Sequence, residues 1–327
     1  EEIKTADIIT TSVWADNLSK IAPILSKGLM MREKEGREKI NVLACENAMF
    51  NSKMLKTEIL KSDNGFTEKG LDKVACFPNT SVDRMVLQSI RDGEQTIDIG
   101  KDFELVIEKN KLANPQSKPI KGAIYTDNLQ KFLERKLYVI NGGHAWAGYM
   151  GNIYGYKIIQ DVFNNKPFVE EIRKTMLESS SLLSKKYGFS MEELRGYIDF
   201  AISRFQTPGI KDTIERVCRS PIRKLGSKER LVGPCVQCED YGIDNSHLLK
   251  GIASVFLFDN PKDIQCVQLQ NHIKDYGIEN TISYYTGIGQ GNRMYEVILE
   301  QYMKLNEIQK ESSFNKVPVE EKRGGIE

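Results

Sequence analysis

The chain has 327 residues, 40% of them hydrophobic and 28% charged, with a formal net charge of +1. That length supports two domains that each bury a core, and the balanced charge gives no global field for nucleic acid or an anionic membrane surface, so the expected partners are small molecules. No run of about eighteen apolar residues and no basic-then-apolar start is present, so neither a spanning helix nor a signal peptide is expected. The six cysteines, Cys45, Cys76, Cys218, Cys235, Cys238 and Cys266, are scattered and suit reduced thiols in the cytoplasm.

The chain opens on EEIKTADIITTSV, in which residues 8–13 form an apolar, β-branched run expected to be a buried parallel strand. Residues 14–27 are amphipathic around Pro23, and INVLACEN, residues 40–47, is a second buried strand ending in polar groups. Strand, helix, strand is one crossover of a doubly wound sheet, whose ligands gather at the carboxyl ends of the strands, where Thr11, Ser12, Glu46 and Asn47 lie. No G-x-G-x-x-G follows a strand anywhere. Either the sheet binds something other than a dinucleotide, or the first part of the nucleotide fold lies upstream of Glu1. The hydrophobic edge that such a start exposes favours the second expectation.

Residues 49–60 read as a helix, followed by a loop containing Gly65 and Gly70. KVACFPNTSVDRMV, residues 73–86, gives a short strand, a Pro78–Asn79 turn and a further apolar segment; the Asn79 amide either points into a cleft or serves the turn. Residues 103–107 are a further strand or extended edge, and 114–121, with Pro115 and Pro119, form the expected domain boundary. The expected organisation is a partial Rossmann-like α/β domain over 1–120, a mostly α-helical substrate domain over 121–310 and a disordered tail over 311–327. In the second half Asp127 is placed to cap a helix carrying Leu129, Phe132, Leu133, Leu137 and Ile140. Helical patterns continue over 169–187, 191–205, 211–218, 247–258, 263–277 and 291–309.

The stretch KLYVINGGHAWAGYMG, residues 136–151, brings Lys136, Asn141 and His144 together in a chain with three histidines. A lysine with a depressed pKa serves as general acid or base, an asparagine amide donates to a developing alkoxide, and a histidine fixes a hydroxyl. On an α-helix, steps of 100° set Asn141 and His144 about 60° apart and Lys136 about 80° from His144, so all three can line one cleft. The glycines, Gly142 and Gly143 among them, allow close approach either of a flat ligand or of another helix. In RFQTPGIKDTIERVCRSPIRKL, Arg216, Arg219, Arg223 and Lys224 surround Pro221, as suits phosphate or sugar oxygens, although a solvated charged face has the same composition. Cys235 and Cys238 form a C-x2-C with no second pair at structural-zinc spacing, so no metal is expected.

These residues carry a resemblance. K-x4-N-x2-H at Lys136, Asn141 and His144 is similar to the catalytic signature of the mannitol dehydrogenase family of polyol-specific long-chain dehydrogenases. ADIITTSV, ACEN, NTSVDRMV, TDNLQKFLERK, RFQTPGIKDTIERVCRSPIRKL and EDYGI follow in the family's order up to about residue 310. The resemblance implies hydride transfer with NAD, Lys136 as general base, Asn141 and Asn79 polarising the carbonyl, His144 orienting hydroxyls, and Arg216 and Lys224 binding substrate. Arg219 or Arg223 would hold a phosphate, because RSPIRKL resembles the branch acting on a sugar phosphate and interconverting D-mannitol 1-phosphate with D-fructose 6-phosphate. Asn79 is more typical of the non-phosphorylated branch, so a free polyol or uronate stays open as substrate, as does a non-catalytic helical binding module. Oligomeric state, the choice between NAD and NADP and the direction of reaction leave no trace in the sequence.

Overall fold

The computed structural model describes residues 2–62, 66–91, 93–209 and 211–314. Contacts divide the chain into two units that meet in sequence between Leu133 and Glu134.

The first unit opens with α1 (Glu2–Thr5), β1 (Ile8–Thr11) and, after a single 3-10 turn at Ala15–Asn17, α2 (Leu18–Lys34). β2 (Ile40–Ala44), α3 (Asn51–Lys61), α4 (Glu68–Val74) and β3 (Ala75–Cys76) follow. β1, β2 and β3 are parallel and adjacent in that order, with Ile8 paired to Asn41 and Ile40 to Ala75. This is the crossover expected from the periodicity. All five residues of β2 are buried, and Leu18, Ala22, Leu25 and Leu29 recur at helical spacing on α2 to join the same core. Gly70, expected in a loop, lies inside α4, which Thr67 caps by accepting from the Gly70 amide; Gly65 falls outside the described residues.

A buried arginine closes the start of this unit. Arg32 is 6% exposed, and its guanidinium donates to the carbonyls of Ile3, Lys4, Ala6 and Glu38 at 2.8–3.0 Å. These carbonyls lie in and just beyond α1 and past α2, so one planar fork ties the two ends of the α1–α2 hairpin.

The unit continues into an antiparallel ribbon of β4 (Thr80–Arg91) and β5 (Glu94–Glu108), whose register shifts between Arg84 and Val86. β6 (Ile124–Thr126) adds to β5 in parallel. The expected strand at 103–107 is the carboxyl-terminal part of this far longer β5. Val86, Ile90, Ile97 and Ile99 are exposed, so the ribbon lacks the one-sided alternation by which a strand is recognised.

The second unit is helical. α5 (Leu129–Arg135) crosses the division, and its first turn is closed by Asn128, which accepts from the Lys131 amide at 3.4 Å; Asp127, expected in that role, precedes it. A π-helical turn (Lys136–Ile140) leads into α6 (Asn141–Ile153). α7 (Ile159–Asn164), α8 (Lys166–Tyr187), α9 (Met191–Phe205), α10 (Ile214–Cys218) and α11 (Pro221–Lys224) follow. α12 (Val232–Asp240), α13 (Ser246–Val255), α14 (Ile264–Thr286) and α15 (Arg293–Phe314) complete it. α14 breaks at Gly277, where φ is 79°. Residues 311–314, expected in a disordered tail, are the last turn of α15, and 315–327 lie outside the described residues.

α6 is the core of this unit, with ten of its thirteen residues buried. The amino terminus of α13 is capped from another element. The Glu178 carboxylate of α8 accepts from the amides of His247 at 2.8 Å and Leu248 at 2.9 Å, and its Oε1 lies 2.9 Å from His247 Nδ1. A carboxylate there satisfies orphan donors and meets the positive end of the helix. No helix among the described residues is long and apolar enough to cross a membrane.

Candidate active site

Lys136, Asn141 and His144 share one unbroken helical path. Within it the Asn141 amide donates to the carbonyl of Lys136, five residues back, where an α-helix reaches back four. On a regular α-helix positions i and i+5 diverge by about 140°. In a π-turn the residue five on lies one turn above, so the K-x4-N spacing sets positions 136 and 141 on one side of the helix. The α-helical angles expected for Lys136 are thereby corrected, while Asn141 and His144 keep ordinary α-helical spacing within α6.

The wide turn is held by its flanking side chains. Arg135 is buried, donates to Glu193 at 3.0 Å and lies over the rings of Tyr197 and Phe189. Lys186 donates to Glu134 at 2.8 Å and to Gln237 at 2.6 Å, and Gln237 donates to the Tyr138 hydroxyl at 3.1 Å. Burial pushes the Tyr138 hydroxyl up to about 12. Positions 134, 135 and 138 are therefore fixed to α8, α9 and α12 on both sides of Lys136. The Asn141 side chain has no hydrogen-bond partner among the described residues, so its amide is available to a ligand.

The His144 ring stacks on Phe205 with centroids 4.3 Å apart, and Phe205 stacks on Phe163 at 4.7 Å. Burial holds the imidazole neutral, pushing its pKa down to about 3; the Asp212 carboxylate works against this, and the charges of Arg216, Lys224 and Arg230 add to it. Those causes place four charged groups around one imidazole. Arg216 donates through Nε to Asp212 Oδ1 at 2.5 Å and through Nη2 to Oδ2.

Lys224 is 3% exposed. Its ammonium donates to the Val217 carbonyl and sits 5.4 Å from the centre of the Tyr149 ring, whose hydroxyl donates to the Cys218 carbonyl at 2.8 Å. Tyr149 thus joins α6 to α10 and α11. Burial pushes the lysine down to about 7, with Arg230, Arg223 and Arg219 acting in the same direction. The sign for stability follows: between about 7 and lysine's ordinary 10.5 the unfolded chain binds more protons than the fold, so this residue makes stability rise with pH across that window. Denaturation midpoints measured from neutral to alkaline pH are expected to show this rise in the parent and a flatter profile in Lys224→Met. Arg219 and Arg223, exposed at the cap of α10 and in α11, have no side-chain partner among the described residues.

The remaining expected residues lie in the first unit. The Asn79 amide is engaged at both ends, accepting from the Lys53 amide at 3.1 Å and donating to Glu108 at 3.0 Å. It closes the start of α3 and ties it to β5, as the turn-and-cap alternative requires, while the second N–H of its amide has no partner among the described residues. Thr11 and Glu46 are bonded to each other at 2.9 Å, and Glu46 also receives the Val13 amide. They shape the strand ends, and Ser12 is the exposed polar group beside them. The glycines of α6 serve packing: a Cβ on Gly142 would lie 2.8 Å from the Arg230 carbonyl, and one on Gly148 2.7 Å from Val217.

Sequence reasoning missed Asp212, Tyr149 and Arg230. Asp212 had one signal, its position four residues before Arg216. Tyr149 and Arg230 had none, because their roles depend on which helices pack together.

The mannitol dehydrogenase Rossmann domain matches residues 1–120 and the mannitol dehydrogenase C-terminal domain residues 128–316. The chain is 39% identical over 309 residues to a mannitol-1-phosphate 5-dehydrogenase of Thermoanaerobacter pseudethanolicus, covering 93% of this chain and 79% of that protein. It is 36% identical to the protein of the same name from Lactiplantibacillus plantarum, over 91% and 77%. Among solved structures it is similar to Pseudomonas fluorescens mannitol 2-dehydrogenase in ternary complex with NAD and D-mannitol, with a TM-score of 0.66 at 18% identity over 95% and 75% of the two chains. A substrate-free D-sorbitol dehydrogenase matches with a TM-score of 0.72 at 14% identity, over 97% and 76%. At those identities the structures speak for the fold, and the family matches with the sequence relatives carry the assignment: the chain belongs to the mannitol dehydrogenase family.

Proposed function

We propose that the protein is an oxidoreductase that interconverts D-mannitol 1-phosphate and D-fructose 6-phosphate with NAD, acting in the cytoplasm. The observation that carries this reading is the π-turn, which stacks Lys136 and Asn141 on the path that leads to His144, Arg216 and Lys224. It is supported by relatives named mannitol-1-phosphate 5-dehydrogenase that align over more than nine-tenths of the chain.

In the oxidising direction Lys136 takes the proton of the reacting hydroxyl, and in the reducing direction it returns it. Asn141 donates to the oxygen as it becomes carbonyl or alkoxide, where a fixed amide dipole needs no reorganisation. His144, neutral and clamped by Phe205, orients a neighbouring hydroxyl, and Arg216 with Lys224 binds the polyol chain. The nicotinamide, when bound, supplies or accepts the hydride. The carboxyl ends of β1 and β2 fit such a cofactor, as parallel strand ends do, with Ser12 and Asn47 to hold it and the Thr11–Glu46 pair shaping the edge.

Arg219 and Arg223 are the groups for the phosphate, since each has an uncompensated charge beside Lys224. Replacing either by alanine is expected to raise the KM for the sugar phosphate about tenfold while leaving the KM for the free sugar within about twofold, the size of one charged hydrogen bond. The function itself is tested by a spectrophotometric assay with fructose 6-phosphate and fructose, each with NADH and NADPH. Turnover is expected for the phosphate with NADH, and none with any pair overturns the reading.

A further inference from the structure

A buried polar atom without a partner gives up hydration for nothing, and in a native fold each such atom calls for a reason. Nε2 of His144 is buried and has no hydrogen-bond partner among the described residues. Asp212 Oδ2 faces it 3.7 Å away, just beyond hydrogen-bond reach. Both sides of this gap are fixed. The ring is stacked on Phe205. The Asp212 backbone is held by its amide donating to Gln160 Oε1 at 2.9 Å, by its carbonyl accepting from the Ile159 amide at 2.8 Å, and by the bridge between Ile158 and Thr213. The same carboxylate receives Nε and Nη2 of Arg216.

We infer that Asp212 is a positioning residue of the active site, which holds His144 as the Nε2–H tautomer and fixes the Arg216 guanidinium side-on. A neutral imidazole donates through one nitrogen and accepts through the other. A carboxylate facing Nε2 draws the proton there and leaves Nδ1 as the acceptor for a substrate hydroxyl. An arginine held through Nε and Nη2 keeps the Nη1 edge for substrate oxygens and is ordered before they arrive. The substrate-facing part of this inference rests on the roles proposed above for His144 and Arg216; the tautomer rests on the geometry alone.

The test uses the full chain, in which three histidines give a simple long-range proton–nitrogen spectrum, with His144 assigned by loss of its signals in His144→Gln. The parent is expected to show Nε2–H at His144 at neutral pH, Asp212→Glu to keep it, and Asp212→Asn to move the proton toward Nδ1. Asp212→Asn is also expected to raise the KM for fructose 6-phosphate about tenfold, with partial recovery in Asp212→Glu, as expected for groups displaced from productive geometry. Nδ1–H at His144 in the parent overturns the inference, and so does an Asp212→Asn protein that keeps both the parent tautomer and the parent KM. If Asp212→Asn fails to fold, the parent tautomer decides. A parent that turns over none of the substrates removes the proposed function and leaves the tautomer to decide the role of Asp212.

Discussion

Lys136→Met is expected to lower kcat by about a thousandfold, with the KM for the sugar phosphate changed by less than about threefold, because the substitution keeps the stem and removes the proposed proton-transfer group. Lys136→Arg is expected not to restore activity, because a guanidinium stays protonated and cannot take the hydroxyl proton. The split between kcat and KM separates this from a binding role, because a lysine that only held substrate would raise KM and leave kcat nearly unchanged. The turn itself is held from positions that the substitution leaves unchanged, Glu134, Arg135 and Tyr138, through Lys186, Glu193 and Gln237. Steady-state kinetics on the two variants decide it. Near-parent turnover in Lys136→Met would remove the lysine from the chemistry.

The second large effect comes from a methyl group. Gly142→Ala places a Cβ 2.8 Å from the backbone carbonyl of Arg230, whereas Gly143→Ala meets the side chain of Met176 at 2.2 Å. The shorter distance is the less damaging one. The Gly143 contacts, Met176 Cε and also Cγ at 2.7 Å, all belong to one flexible side chain that can change rotamer, but a backbone carbonyl moves only with its segment. Gly142→Ala is expected to lose about 3 kcal/mol of stability, the upper range for overpacking a tight core, and to weaken sugar-phosphate binding because Arg230 shifts beside His144 and Lys224. Gly143→Ala is expected to lose about 1 kcal/mol, partly offset by the better helix propensity of alanine. Chemical denaturation of the two variants gives the ordering, and a larger loss at Gly143 would contradict it.

Much of the architecture was legible in the sequence. The runs at residues 8–13 and 40–47 are continuous and β-branched, and they form the parallel strands β1 and β2. Met191–Phe205 matches its expected helix to the residue, because Ser190 and Glu193 mark its start, with the Ser190 hydroxyl accepting from the Glu193 amide. The β4–β5 ribbon was nearly invisible, since its apolar residues remain exposed and give no one-sided pattern. α11 and α12 carry no helical periodicity of their own, one being a four-residue turn at Pro221 and the other spanning the C-x2-C, and both are set by burial of Lys224, Cys235 and Cys238. At the site, the identity of Lys136, Asn141 and His144 was readable and their geometry was not. A π-turn has no composition of its own; it is fixed by Glu134, Arg135 and Tyr138 reaching three other helices. The bonds that hold Asn79 come from partners distant in sequence, Lys53 and Glu108, which no local pattern shows.

The π-turn also bears on transplantation. Five positions separate Lys136 from Asn141 along the chain, but the distance that matters is one hydrogen-bonded turn, closed by the Asn141 amide on the Lys136 carbonyl. Copied into a regular helical scaffold, the same K-x4-N-x2-H string would set its lysine about 140° from its asparagine, with the histidine between them. What would have to be moved as one part is the string together with the contacts at positions 134, 135 and 138 that keep one extra residue in the turn.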